Sequence, residues 1–211
     1  MLPPGLQTPG SPAPISYNKL LITEGGDAFS FFKAALRHLG LLDQIEIRNL
    51  GGVTDWSAYL PVLVRTDGFA HVVSLALVRD AETDCRAAFQ SACAALARAH
   101  LPVPPQPAAA APGSPSVAVF ILPDCHRPGM LETLCLEAVA NDPATVCVDR
   151  YFNCLSTRKL VLPANLEKAR VRAFLASRTR PHRRLGQAAE AGYWDWSSPV
   201  FEPLFRFLTA I

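Results

Sequence analysis

The fold of this chain is decided by two stretches that each end in acidic residues: KLLITEGGD at residues 19–27 and HVVSLALVRDAETD at residues 71–84. Each contains an apolar run typical of a strand buried on both faces. A third apolar run, VAVFIL, occupies residues 117–122. Apolar residues at helical spacing follow these runs. The alternation predicts an α/β fold with a small, mainly parallel sheet and a helix-rich C-terminal third.

Composition indicates one folded domain behind a flexible N-terminal tail. The chain has 211 residues, of which 50% are hydrophobic and 18% are charged, enough to build a substantial core. Residues 1–16 are rich in Pro, Gly and Ser and are expected to form the tail, with the α/β domain spanning residues 17–211. Residues 102–116 are rich in Pro and Ala and predict a mobile loop without regular structure.

Helix boundaries can be predicted from capping residues. Asp27 is expected to cap the first helix, and Asp84 is expected to cap the helix after the second stretch. Another helix is predicted around residues 53–59, disturbed by Pro61.

The net charge excludes a nucleic-acid footprint over the whole molecule, because the formal charge is only +2. A local patch would be needed. One dense basic group is a candidate for it, although a solvated helix junction would carry the same residues: Arg178, Arg180, His182, Arg183 and Arg184.

Cysteine usage and apolar run lengths predict a cytoplasmic protein without a membrane span. The six cysteines form no C-x-x-C pair, so a structural zinc site is not expected. The N-terminus lacks the features of a signal peptide. Cys125 and His126 are adjacent, but neighbours in sequence rarely face each other, so a cysteine nucleophile is not expected. Asp124 beside them begins a third acidic element that runs to Glu132, and its simpler interpretation is that it shapes a turn.

Acidic residues follow the apolar strands at the points where those strands end. Carboxyl ends of parallel strands meet at one edge of a sheet, so Glu24 and Asp80 are expected there as metal ligands. Further candidate ligands are Glu82, Asp84 and Glu132. Converging carboxylates need a hard cation to neutralise them, which predicts Mg²⁺ or Mn²⁺ as the cofactor.

Each acidic group also has a simpler interpretation that the sequence leaves open. For residues 24–27 the simpler interpretation is a strand-to-helix turn with no further role. For residues 80–84 it is an acidic turn that caps a helix. Glu132 can be a favourable partner of a helix dipole.

The order of these motifs resembles the Toprim fold of topoisomerases, primases, recombination-repair proteins and OLD-family nucleases. A closer likeness is to an uncharacterised Toprim-like family of bacterial and archaeal proteins, a domain of unknown function. The stretches that carry the likeness are residues 20–25, 79–82, 120–124, 129–132 and 185–195. The resemblance implies a four-stranded, mostly parallel Toprim-like sheet sandwiched by helices. It maps the Toprim glutamate onto Glu24 and the Asp-x-Asp motif onto Asp80 and Glu82, where Glu82 replaces the second aspartate.

The resemblance leads to the hypothesis of Mg²⁺-dependent phosphodiester cleavage of nucleic acid, as in the OLD nucleases, with Glu24 and Asp80 as catalytic residues. Lys168 or Lys159 is a candidate helper at the phosphate. A small-molecule phosphohydrolase with the same site is a further alternative.

A different class of function fits the near-neutral charge: a non-catalytic Toprim-shaped module that acts beside a separate ATPase or nucleic-acid-processing partner. The sequence does not determine the oligomeric state. A C-terminal aromatic group would suit an interface: Tyr193, Trp194, Trp196, Phe201, Phe205 and Phe207. Its simpler interpretation is core packing, because Leu204, Phe205 and Leu208 have the spacing of a core helix.

Overall fold

The computed structural model describes residues 13–50 and 55–211, which form one α/β unit. The strands are β1 Lys19–Thr23, β2 Glu46–Asn49, β3 Ser74–Asp80, β4 Ala110–Ala111 and β5 Ser116–Leu122. The helices are α1 Gly25–His38, α2 Trp56–Leu63, α3 Cys85–Arg98, α4 Leu131–Ala138, α5 Pro143–Thr157, α6 Leu166–Ala176, α7 Leu185–Glu190 and α8 Glu202–Thr209.

The strands form a single sheet in the order β2-β1-β3-β5-β4. β1 pairs in parallel with β2 and with β3, and β3 pairs in parallel with β5. The chain leaves β1 towards one side of the sheet and returns to the other side for β3, so the strand order reverses between β1 and β3. Ligands of open α/β sheets bind outside the carboxyl ends of the strands at such a reversal.

The expectation of four strands is wrong, because the sheet has a fifth strand at its edge. β4 pairs antiparallel with β5 and lies inside the Pro/Ala-rich segment 102–116, for which the sequence predicts no regular structure. The pairing places Ala110 opposite Ala118. Alanine fits the strand geometry here, and a two-residue edge strand is too short for periodicity to reveal it.

Alternating residues of the central strands feed two separate cores. Leu20 and Ile22 of β1 point to a core shared with α2 and α3, whereas Leu21 points to the opposite face. The second core contains residues from α1 and from helices α4 to α8. The sheet is therefore covered by helices on both faces, which explains why β1 and β3 read as continuous apolar runs.

Two of the predicted helix boundaries need correction, and one is confirmed. α1 begins at Gly25 with Glu24 as its N-cap, so Asp27 lies in the first turn and is not the cap. The positive φ of Gly25, 79°, explains how the chain turns so soon after the strand. α2 continues through Pro61 to Leu63, and residues 53 and 54 of that predicted helix lie outside the described residues. Asp84 caps α3 as predicted, accepting a 3.0 Å hydrogen bond from Ala87 N.

The C-terminal aromatic residues belong largely to the core. Trp194, Phe201 and Phe207 are buried, and the Phe201 ring lies 6.1 Å from that of Phe31 in α1. Of the residues predicted to have core-helix spacing, Leu204 and Leu208 are buried in α8, as expected of a core helix, and Phe205 is half-buried. In the N-terminal segment that is expected to be a tail, residues 1–12 lie outside the described residues. Ile15 is buried, and its N–H donates to Asp67 O at 2.8 Å.

In the described ranges, no helix is both long and apolar enough to cross a membrane.

Candidate functional site

A cavity of about 630 Å³ opens at the carboxyl edge of the sheet, where β1 and β3 end. Its lining includes Glu24, Asp80 and Glu132, three of the five acidic residues predicted from the sequence. They come from three elements, because Glu24 follows β1, Asp80 ends β3 and Glu132 lies in the first turn of α4. The cavity also lies where the strand order reverses, which is the expected ligand position for this topology.

Glu24 is half-buried and held by two neighbours. Its carboxylate accepts a hydrogen bond from Trp56 Nε1, and Oε1 lies 3.6 Å from Arg79 Nε. Burial raises the pKa of Glu24, while the Trp56 hydrogen bond and the Arg79 charge oppose that rise. A carboxyl group with a raised pKa is better suited to accept and return a proton near neutral pH.

Sequence reasoning missed both of these neighbours, although the proximity of Arg79 follows once β1 and β3 are paired. The β1–β3 register pairs Ile22 with Leu77, so two further steps along both strands place Glu24 beside Arg79. Trp56 gave no such signal, because its position depends on how α2 packs on the sheet.

Asp80 is the more strongly perturbed carboxyl group of the cavity. Its Oδ1 accepts a 2.9 Å hydrogen bond from Leu131 N at the start of α4. Burial raises the pKa of Asp80 to about 7 despite that hydrogen bond, and the nearby charges of Glu132, Glu24 and Glu82 add to the effect. Near neutral pH this group therefore sits between its charged and neutral forms.

Glu132 is also half-buried, and burial raises its pKa. The positive charge of Lys168 partly offsets this, whereas Asp27 and Glu167 raise the pKa of Glu132 further.

Glu82 and Asp84, the other two predicted ligands, lie outside the lining of the cavity. Glu82 is exposed with a φ of 54°, and its backbone forms an antiparallel bridge with Gly129 through two 2.8 Å hydrogen bonds. Its charge still contributes to the raised pKa of Asp80. Asp84 is used as the cap of α3.

Basic residues form another part of the cavity wall. Two come from α6, Lys168 and Arg172, and the segment before α7 contributes the others: His182, Arg183 and Arg184. Part of the predicted basic patch therefore faces the site. Arg178 belongs elsewhere, because it donates to both carboxylate oxygens of Asp142 at 2.8 and 3.0 Å and lies over the Phe174 ring. Lys159, the alternative phosphate helper, lies outside the lining.

Close packing of α7 against α1 places this basic wall. Gly186 in α7 lies so near α1 that a Cβ atom there would meet Asp27 O and Ser30 Cβ, each at 2.5 Å. The contact brings Arg183 and Arg184 next to the start of α1 and its acidic residue Asp27.

Cys125 and His126 form no nucleophilic pair, as expected. Cys125 is buried, and burial raises the pKa of its thiol to about 12. Asp124 shapes the turn, accepting hydrogen bonds from the N–H groups of His126 at 3.0 Å and Arg127 at 3.1 Å.

Only oxygen donors line the acidic side of the cavity, and oxygen is the ligand atom that Mg²⁺ and Mn²⁺ prefer. Within residues 13–50 and 55–211, no three His, Cys, Asp or Glu side chains form a group that could hold a metal ion as arranged. Mg²⁺ commonly takes one or two carboxylates and completes its shell with waters and substrate phosphates. Glu24 and Asp80 fit that mode of binding.

Fold and site together define an α/β protein with a mostly parallel five-stranded sheet and a cavity of mixed charge at its carboxyl edge. The chain belongs to the DUF3226 family, described as a protein of unknown function, whose family model matches residues 18–211. No curated protein and no solved structure matches this chain.

Proposed function

We propose that this protein is a Toprim-like enzyme that cleaves phosphodiester bonds of nucleic acid with Mg²⁺ or Mn²⁺. One observation carries the proposal: Glu24 follows β1 and Asp80 ends the adjacent β3, and both line a cavity that basic residues also line. Carboxylates suit a divalent cation, and the cations of the wall suit the phosphate of the substrate. The sequence resemblance to Toprim nucleases supports the same chemistry.

The residues of the cavity have separate roles in this proposal. Glu24 and Asp80 would hold the cation, with Glu132 assisting. When bound, the cation would orient the phosphodiester and stabilise charge on the attacking and leaving oxygens. Lys168 and Arg172 would hold the non-bridging phosphate oxygens.

Proton transfer is assigned to Glu24. A water molecule attacks phosphorus and gives its proton to Glu24, while the bond from phosphorus to the leaving oxygen breaks. The leaving oxygen takes a proton from solvent water, and Glu24 returns its own proton to the solvent before the next cycle. The raised pKa of Glu24 favours this role, since general bases work best near the operating pH.

The test is cleavage of end-labelled DNA and RNA oligonucleotides with Mg²⁺ or Mn²⁺. We expect Glu24→Gln and Asp80→Asn each to lower the cleavage rate by about 100-fold or more. Glu190→Gln, at an exposed position on α7, is the matched control and should cleave like the wild type. Equal rates for Glu24→Gln and the wild type would overturn the assignment.

The second candidate is a binding module that lacks catalysis, in association with a separate ATPase or nucleic-acid-processing partner. It is favoured by the lack of a ready three-ligand group among the described residues. Calorimetric titration of Mn²⁺ into the wild type and Glu24→Gln separates the candidates. Binding that disappears in the variant supports the enzyme, whereas oligonucleotide binding without metal binding or cleavage supports the module.

A further inference from the structure

A second depression, of about 600 Å³, lies beside the cavity on the other side of α6. Lys168 and Arg172 line both spaces. Val171 and Leu175 face only the cavity, whereas Ala169 and Ala173 face only the second depression. This division follows from helix geometry, because residues four apart share a face. Lys168 and Arg172 therefore form a basic crest, one helical turn long, between the two spaces.

The second depression combines an aromatic ring with positive charge. Tyr151 on α5 lines it with 55% of its surface exposed. The neighbouring Phe152 is buried and holds the Tyr151 ring edge-on, with the ring centroids 5.0 Å apart. Among the described residues that line the depression, Lys168 and Arg172 supply two cations and there is no carboxylate.

We propose that this depression, which we call the α5–α6 groove, binds an unpaired base of single-stranded nucleic acid while Lys168 and Arg172 bind its backbone phosphates. The inference rests on the proposed function, since it names the nucleic acid on which the cavity acts. A strand crossing the crest would have one phosphate in the cavity and the next nucleotide in the groove.

Stacking explains why the strand must be single. A base reaches the Tyr151 ring only when it is free of a complementary strand, and stacking on an aromatic residue tolerates any base. The small side chains Ala169 and Ala173 leave room for such a base beside the ring.

The test measures fluorescence anisotropy of labelled oligonucleotides in EDTA, so that no cleavage occurs. The probes are a single strand of mixed sequence, its duplex, and an abasic strand of equal length. We expect the single strand to bind more tightly than the duplex. Tyr151→Ala should weaken single-strand binding about tenfold and leave abasic-strand binding unchanged, while Tyr151→Phe should behave like the wild type.

Two matched controls separate the groove from general surface effects. Tyr17→Ala removes an exposed tyrosine near the amino end of β1, and Arg86→Ala removes an exposed arginine on α3. Neither should change binding. Arg172→Ala should weaken binding of both single strands and lower the slope of log K against log salt by about 0.7.

Equal binding by Tyr151→Ala and Tyr17→Ala, or equal affinity for duplex and single strand, would overturn the inference. The two proposals fail separately. Binding that depends on Tyr151 without metal-dependent cleavage would overturn the nuclease proposal and support the α5–α6 groove. Cleavage that depends on Glu24 but is unchanged in Tyr151→Ala would overturn the proposed role of the groove and support the nuclease proposal.

Discussion

At the scale of single residues, Asp80 shows how position in a fold changes a carboxyl group. An aspartate at the end of a buried strand loses hydration, and one 2.9 Å hydrogen bond from Leu131 N does not replace it. This loss of hydration raises the free energy of the charged form. Between about pH 4 and 7, Asp80 therefore retains a proton in the folded protein that it has released in the unfolded chain. Under the proposed function, a bound cation would stabilise the charged form.

This protonation predicts a pH-dependent stability. In the unfolded chain Asp80 ionises at about pH 4, and in the folded protein at about pH 7. Between these two pH values the native state binds more protons than the unfolded chain. The contribution of Asp80 to the free energy of unfolding therefore falls as the pH rises from about 4 to 7. Asp80→Asn should therefore be more stable than the wild type by about 2–4 kcal/mol at pH 8, as measured by urea unfolding.

The stability difference should shrink as the pH is lowered and vanish below about pH 3, where Asp80 is neutral in both the folded and the unfolded state. Asp43→Asn is the control for removing an exposed carboxylate. A stability difference for Asp80→Asn that is independent of pH would contradict the assignment.

Asp84 illustrates the opposite outcome for an acidic residue. Its hydrogen bond from Ala87 N satisfies the first turn of α3, so Asp84→Ala should lower the free energy of unfolding by about 1 kcal/mol. Asp84→Asn keeps an oxygen in the same place and should keep both the stability and the Mn²⁺ affinity. Loss of Mn²⁺ binding in Asp84→Asn by calorimetry would instead return Asp84 to the candidate ligands.

At the scale of elements, the contact between α7 and α1 positions one wall of the cavity. Gly186→Ala would place its methyl group 2.5 Å from Asp27 O and from Ser30 Cβ. Relief requires the two helices to separate, which should lower the free energy of unfolding by about 1–3 kcal/mol in urea titrations. It would also move Arg183 and Arg184 away from α1, so phosphate binding should weaken together with stability.

Gly26→Ala is the matched control for this change. Gly26 lies in α1, and a methyl group added there would meet nothing within 4 Å beyond its own stretch of helix. Alanine is also favoured over glycine in helices, so we expect the stability to be unchanged or raised by about 0.5–1 kcal/mol. A Gly186→Ala protein as stable as Gly26→Ala would show that the two helices can adjust freely.

At the scale of the whole molecule, charge is separated across one cavity although the net charge is only +2. Acidic residues at the sheet edge face basic residues from α6 and the segment before α7. The near-neutral total therefore does not exclude a local concentration of charge, which under the proposed function would bind a cation and a substrate phosphate together.

This arrangement predicts that divalent cations stabilise the folded protein. A ligand that binds only the native state raises stability by mass action, by about 2.7 kcal/mol at a hundred times its dissociation constant. The melting temperature of the wild type should rise with Mn²⁺ concentration at pH 8, measured by calorimetry. In Glu24→Gln the rise should be lost, whereas Glu190→Gln should retain it. An equal rise in all three proteins would indicate binding elsewhere.

The sequence by itself determined the central strands and the acidic residues that end them. Apolar runs such as residues 117–122 are local signals, and parallel pairing brings their ends to one edge whatever the details of packing. Glu24 and Asp80 could therefore be assigned to one site in advance. Asp84 could be assigned as a cap because capping depends on a few adjacent residues.

Only the tertiary structure decided what surrounds those acids. Trp56 meets Glu24 because α2 packs beside β1, and Arg183 faces the cavity because Gly186 allows α7 to approach α1. The fifth strand likewise exists because β5 offers an edge to Ala110 and Ala111. These contacts join residues far apart in the chain, and their positions depend on the packing of whole helices, which no local pattern encodes.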